Sequence, residues 1–302
     1  MDQLPPVLNK AVISSSARNP MHGIGFVIFM TICFSSLDAS AKYLSNELPL
    51  WVLLWGRYVF NFFFVALFFL RGAPAKIIHT RNIKLQIVRS ILLVASTLTF
   101  WLALMFLPLT DCVVILFVSP LLVTMLAAPI LGESVGGHRW AAVILGFVGV
   151  MVVMRPGFTI FDWMSILPLV TALFYAGVQI STRILGRTDG ALTTLLYSSA
   201  GGAIISTIGV LFFWETPSFG QWFVLGWLGF LGALGHFLMI KAYALAPASL
   251  LAPFDYTTLI WATILGFVVF GDLPDTWTVL GAVIIMSSGL YLIRRESRLV
   301  VV

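Results

Sequence analysis

Six charged residues stand inside otherwise unbroken apolar runs: Asp38, Lys42, Arg57, Arg89, Lys241 and Asp255. An ionised side chain at mid-depth in hydrocarbon costs about 2.5–3.5 kcal/mol on insertion scales, so each needs a partner, a route to water or a task. Acids and bases brought together there can form gate pairs that part and reseal, or can anchor the opposite charges of a polar solute. Asp38 and Lys42 are four residues apart and share a helix face. The plainer alternatives are static ion pairs and, for the long bases Lys42, Arg89 and Lys241 near helix ends, snorkelling to the headgroups. A short acid such as Asp38 or Asp255 has no such exit.

Other side chains can complete a polar pocket. His236 lies near the middle of an apolar run, where a polar ring must face the bundle interior. It is either a satisfied packing residue or, with an ordinary pKa of about 6.5, a proton carrier. Tyr175 and Gln179 share a helix face at a four-residue spacing, and Tyr256 adjoins Asp255. Aromatic faces attract cations, and a few fixed polar groups orient a ligand. Such a set suits a planar or zwitterionic solute. Cys33 and Cys112 have no metal or redox spacing and read as packing residues.

The elements that must position these groups follow from composition. Of 302 residues, 60% are hydrophobic and 10% charged, with a mean hydropathy of +1.04. A soluble domain carries about 25% charged residues, so the solvent for most of this chain is lipid. Lipid supplies no hydrogen bonds, which restricts spanning elements to helices or a closed barrel. Continuous apolar runs, without the alternation of barrel strands, select helices. Breaks at turn residues and charges predict an all-α polytopic membrane protein with ten transmembrane helices: 22–44, 49–70, 85–107, 110–131, 138–154, 163–185, 190–213, 221–246, 248–270 and 276–293. The polar stretch 1–21 reads as a disordered cytoplasmic tail.

With the N-terminus inside, cytoplasmic segments collect Lys10, Arg18, Arg71, Lys76, Arg81, Lys84, Arg139, Arg183, Arg187, Arg294, Arg295 and Arg298, and the opposite loops essentially Arg155 alone. Excess Lys and Arg marks the cytoplasmic side, so both termini are expected there, as an even number of spans requires. This orientation puts Asp38, Lys42 and Arg57 in an outer group and Arg89, Lys241 and Asp255 in an inner one. The halves also echo each other: Leu131, Gly132 and Glu133 close the fourth span as Phe270, Gly271 and Asp272 close the ninth, and 103–108 (ALMFLP) matches 242–247 (AYALAP) at the same offset. Two five-helix repeats, 22–155 and 163–295, must insert in opposite senses because five is odd. Inverted repeats are the architecture of alternating-access carriers with a site near mid-membrane.

Pro120 with 131–133, the stretch 89–108 (RSILLVASTLTFWLALMFLP), and 246–256 (APASLLAPFDY) followed by 270–272 resemble the EamA-type ten-helix branch of the drug/metabolite transporter superfamily. The likeness covers nearly all of 22–295; Asp272 stands where Glu is common. The resemblance implies a bacterial-type inner-membrane secondary transporter whose central cavity is lined by helices 1, 3, 4, 6, 8 and 9. It also implies that Trp101, on a cavity helix, is a site candidate. Members that resemble this chain include carriers proposed for amino acids, S-adenosylmethionine and riboflavin.

The sequence lacks a Walker-type loop, a zinc-protease signature and a nucleophile elbow. The expectation is therefore a non-enzymatic secondary transporter moving a small amino-acid-like, S-adenosylmethionine-like or other zwitterionic or aromatic metabolite. Its partners are that solute and the lipid bilayer, with protons as coupling ion or a solute gradient as the driver, and no cofactor, metal or nucleic acid. A channel or an intramembrane enzyme is the alternative. Expected substrate-binding or coupling residues are Asp38, Lys42, Arg57, Arg89, Trp101, Tyr175, Gln179, His236, Lys241, Asp255 and Tyr256.

Overall fold

The computed structural model describes residues 20–69, 78–131, 136–155, 162–246 and 248–299, and all regular structure among them is helical. The helices are α1 (Pro20–Leu44), α2 (Leu50–Phe69), α3 (Ile83–Leu104), α4 in two pieces (Leu109–Leu116 and Ser119–Leu131), α5 (Gly137–Met154), α6 (Ile166–Leu185), α7 (Ala191–Val210), α8 (Phe219–Leu245), α9 in two pieces (Ala248–Asp255 and Thr257–Leu265, ending in a π-helical turn, Gly266–Phe270) and α10 (Thr276–Leu299). Among the described residues nine helices have the length and apolarity to cross a membrane, and the tenth apolar stretch, Thr276–Leu292, is shorter. The chain is thus a multi-pass membrane protein. The expected N-terminal tail falls almost wholly outside the described residues, as do Gly132 and Glu133 of the paired helix ends.

Helix packing displays an internal two-fold relation. α1 packs along α8 as α6 packs along α3, α1 meets α9 as α6 meets α4, and α5–α10 and α2–α7 form pairs that the relation maps onto themselves. Both fourth helices of the repeats break at equivalent places, at Phe117–Val118 and at Tyr256. Phe117 and Tyr256, one repeat apart, lie against each other with ring centroids 4.7 Å apart. α5 and α10 approach closely because both carry glycine at the crossing: a Cβ on Gly281 would lie 2.8 Å from the Gly149 carbonyl oxygen.

The loops repeat the symmetry. After α1, the Glu47 carboxylate accepts from Gln221 at the start of α8 (2.8 Å). After α6, Asp189 accepts from Thr80, from the Arg81 N–H (3.1 Å) and from Gln86 (2.9 Å) at the start of α3. The first contact lies on the face where α1 ends, here the far face. The second lies on the face where α1 begins, the N-terminal face.

Candidate functional site

Asp38, Arg57 and Trp101 assemble. They come from α1, α2 and α3, and Gly56, one residue before Arg57, lets α2 approach α8, since a Cβ there would lie 2.6 Å from Leu225. The Trp101 indole is 1% exposed. Its Nε1 donates to Asp38 Oδ1 at 3.0 Å, and the Arg57 guanidinium lies 5.1 Å from its ring centroid and 5.4 Å from that of Tyr58. Arg57 acts electrostatically on Asp38 but makes no hydrogen bond among the described residues. It rests on two aromatic faces with its donors uncommitted.

Lys42 does not join this group. Its Nζ lies 3.3 Å from Asp272 Oδ2, donates to the Leu107 carbonyl at 2.8 Å and sits 4.8 Å over the Phe270 ring. The shared face with Asp38 does not produce a pair because the end of α9, from the other repeat, offers a closer carboxylate. Lys42 therefore ties the two repeats together at the far face. Arg155 is likewise bound at that face, to Asp275 at 2.7 Å.

The expected inner triad is not assembled either. Lys241 is exposed and lies over the Phe237 ring at 5.5 Å, in keeping with a base reaching for the membrane surface. Arg89 is buried, with Nε donating to Thr182 Oγ1 at 2.7 Å and Nη1 to Ser198. Hydroxyls alone hold it, with no carboxylate at ion-pair distance among the described residues. Asp255 ends the first piece of α9, at the helix break, and its Oδ1 is buried without a hydrogen-bond partner among the described residues.

Tyr175 links these charges. Asp255, Arg89 and Arg57 all act electrostatically on its hydroxyl, yet the residue is 37% exposed. Gln179, one turn on, reaches Ser119 at 3.5 Å. His236 Nδ1 lies 2.7 Å from the Gly232 carbonyl, and Arg57 and Arg89 act on the ring. Tyr256 adjoins Asp255 in sequence but leads elsewhere: its hydroxyl meets α10, where a Cβ on Gly289 would lie 2.1 Å from it. Two peripheral grooves, of about 530 Å³ beside Tyr43 and Trp227 and about 800 Å³ beside Trp140 and Trp277, lie away from this centre.

Sequence reasoning missed the neutral groups around these charges. Tyr58 shares a hydrogen bond with Thr97 (2.8 Å), Asn61 accepts from Ser199 (2.6 Å), and Thr182 and Ser198 hold Arg89. Asn61 alone gave a signal, as a carboxamide within an apolar run. Serines and threonines in such helices commonly bond their own backbone, as Ser198 and Ser199 also do, so spacing does not single them out.

A known structure shares this fold. A solved crystal structure 17% identical in sequence superposes with a TM-score of 0.62, covering 90% of this chain and 97% of that one, which establishes a common fold. The S-adenosylmethionine uptake transporter of Rickettsia bellii is 28% identical over 276 residues, 91% of this chain and 94% of that protein. The riboflavin transporter of Vibrio cholerae is 27% identical over 289 residues, 94% and 97%. The pseudopaline exporter of Pseudomonas aeruginosa is 20% identical over 279 residues, 91% and 96%. The description "EamA-like transporter family" matches residues 21–155 and again 162–294. With both halves matched and relatives aligned over nearly their full lengths, this chain belongs to the EamA-like transporter family.

Proposed function

We propose that the protein is a secondary transporter that carries a small zwitterionic metabolite by alternating access between its two repeats. One observation carries the reading: Tyr175 stands within electrostatic reach of a guanidinium with uncommitted donors, Arg57, and a carboxylate with an unpartnered oxygen, Asp255. A solute with an anionic and a cationic group would satisfy both, which neither does for the other. The break in α9 beside Asp255 fits the discontinuous helices that flank mid-membrane carrier sites.

On this reading Arg57 takes the anionic end, Asp255 the cationic end, and Tyr175 packs between them. Arg89 and Gln179 set the wall on the N-terminal side, and Asp38 and Trp101 hold Arg57 from the far side. Lys42 with Asp272 seals the far face, and Lys241 lines the approach from the other. The excess of basic residues on the N-terminal face supports a cytoplasmic placement of both termini in a bacterial-type inner membrane. Protons are the proposed coupling ion, with Asp255 and Asp38 as the carboxylates able to take one up.

S-adenosylmethionine, named for the Rickettsia relatives, carries an α-amino acid and a sulfonium and matches the charge pattern. Counterflow in proteoliposomes, with a panel of S-adenosylmethionine, L-methionine, L-phenylalanine and riboflavin at pH 6 and 8, tests the proposal. Saturable exchange of a zwitterion is expected, with KM raised by more than about tenfold in Asp255→Asn. Exchange of uncharged solutes alone, or a non-saturable flux, would refute it.

A further inference from the structure

We infer that His236 is a hydrogen-bond acceptor of fixed orientation in the central site, reading an N–H or O–H donor of the solute through Nε2. The identity of the ligand rests on the transport reading above; the geometry of the ring does not. A carbonyl oxygen only accepts, so the 2.7 Å contact with Gly232 requires a hydrogen on Nδ1. The ring's single lone pair is then on Nε2. Phe34 braces the imidazole edge-on, with centroids 5.2 Å apart and planes at 81°. Gly235 keeps α8 against that same ring, since a Cβ there would fall 2.9 Å from it. Tautomer and ring plane are both set before any ligand arrives.

Nε2 has no hydrogen-bond partner among the described residues, and it is absent from the buried unpartnered atoms, which are Gln86 Oε1, Asp255 Oδ1 and Trp261 Nε1. The residue is half-buried, so the nitrogen is not fully enclosed. Phe34 from α1 packs on the ring, and Arg57 from α2 and Arg89 from α3 act on it electrostatically. A guanidinium donates through five N–H groups and accepts nothing. At this end of the site the arginines can hold oxygen atoms of a solute but must reject its donors, and Nε2 supplies the missing acceptor. The ligand class that fits carries a donor such as a ring N–H, exocyclic amine or hydroxyl, besides the cationic group assigned to Asp255.

Nitrogen NMR of ¹⁵N-histidine-labelled protein in lipid nanodiscs, with the signal assigned by His236→Gln, reads the tautomer directly. A protonated Nδ1 and a bare Nε2 are expected at pH 7.5; a hydrogen on Nε2 overturns the inference. Diethyl pyrocarbonate acylates bare, accessible imidazole nitrogens, so it should label His236 along with the exposed His138. Labelling of His138 without His236 also overturns it. Neither readout needs a substrate. For the panel member that the wild type exchanges, His236→Gln keeps an acceptor oxygen near the Nε2 position and His236→Asn does not. One lost hydrogen bond corresponds to roughly a tenfold rise in KM for Asn, with Gln within about threefold and kcat within about twofold in both. Equal losses in the two variants refute the acceptor role. If the wild type exchanges no zwitterion, the transport reading fails alone, and the first two readouts still decide the state of the ring.

Discussion

Asp255 and Arg57 have opposite charges, neighbouring aromatic groups and unfilled hydrogen-bonding capacity. Removing one charge leaves the partner end of the solute unsatisfied, at about 1.5–3 kcal/mol for a charged hydrogen bond. Asp255→Asn and Arg57→Gln should each raise KM by more than about tenfold in proteoliposomes, while insertion, followed by detergent-extracted monodisperse yield, stays normal. Trp101→Phe keeps the aromatic face under Arg57 but deletes the N–H that serves Asp38. A loss of roughly 1–3 kcal/mol is expected, visible as a lower melting temperature in detergent, and unchanged melting would show that Asp38 finds another donor. The charged members of this set were legible because a charge in an apolar run has no cheap explanation. Their neutral partners were not, since a threonine that holds an arginine and one that bonds its own helix read alike.

Glycine and proline act through whole helices. On α8, Gly229 meets Phe60 and Asn61, Gly232 meets Asn61, and Gly235 meets Phe34, whereas nothing lies within 4 Å of a Cβ on Gly226. A three-residue glycine period along this helix therefore marks close packing only where α1 and α2 cross it. Gly229→Leu should lower stability by about 1–3 kcal/mol through overpacking against backbone, and Gly226→Leu should leave the melting temperature unchanged; the pair of melting curves tests both. The existence of the helices was legible from apolar length. The breaks at Phe117–Val118 and Tyr256 were not: both candidate spans are continuous in hydropathy, and Pro120 and Pro253 lie beside the breaks without fixing their places.

Across the whole molecule, the two repeats are held together at both faces by polar contacts. On the far face, Lys42→Cys with Asp272→Cys, in a background lacking Cys33 and Cys112, should be joined by a short bis-methanethiosulfonate cross-linker that abolishes exchange until reduced, since the long lysine side chain spans more than a disulfide can bridge. Exchange that persists in the cross-linked protein would show that this contact need not part. On the N-terminal face, partial burial opposes ionisation of Asp189, but Thr80, Gln86, the Arg81 N–H and Thr188 outweigh it and hold the carboxyl below its ordinary value. A depressed value means that the contact stabilises the fold fully above the ordinary pKa of about 3.9 and is lost as pH falls through the lower one. The melting-temperature gap between wild type and Asp189→Asn should therefore be constant from pH 8 to pH 5 and close only in stronger acid. A gap that closes between pH 7 and 5 would contradict this.

By itself the sequence determined the solvent, the helical class, the duplication and the residues whose charge demands a reason, because hydrocarbon penalises every exposed donor, acceptor and ion along the chain. Only the tertiary structure decided who meets whom: Lys42 goes to Asp272 rather than Asp38, Lys241 turns outward, and Tyr256 runs to α10. Those choices depend on how different helices meet, Lys42 with Asp272 across the repeats and 230 positions apart, Tyr256 with α10 within one repeat, and helical periodicity within one span carries no information about them.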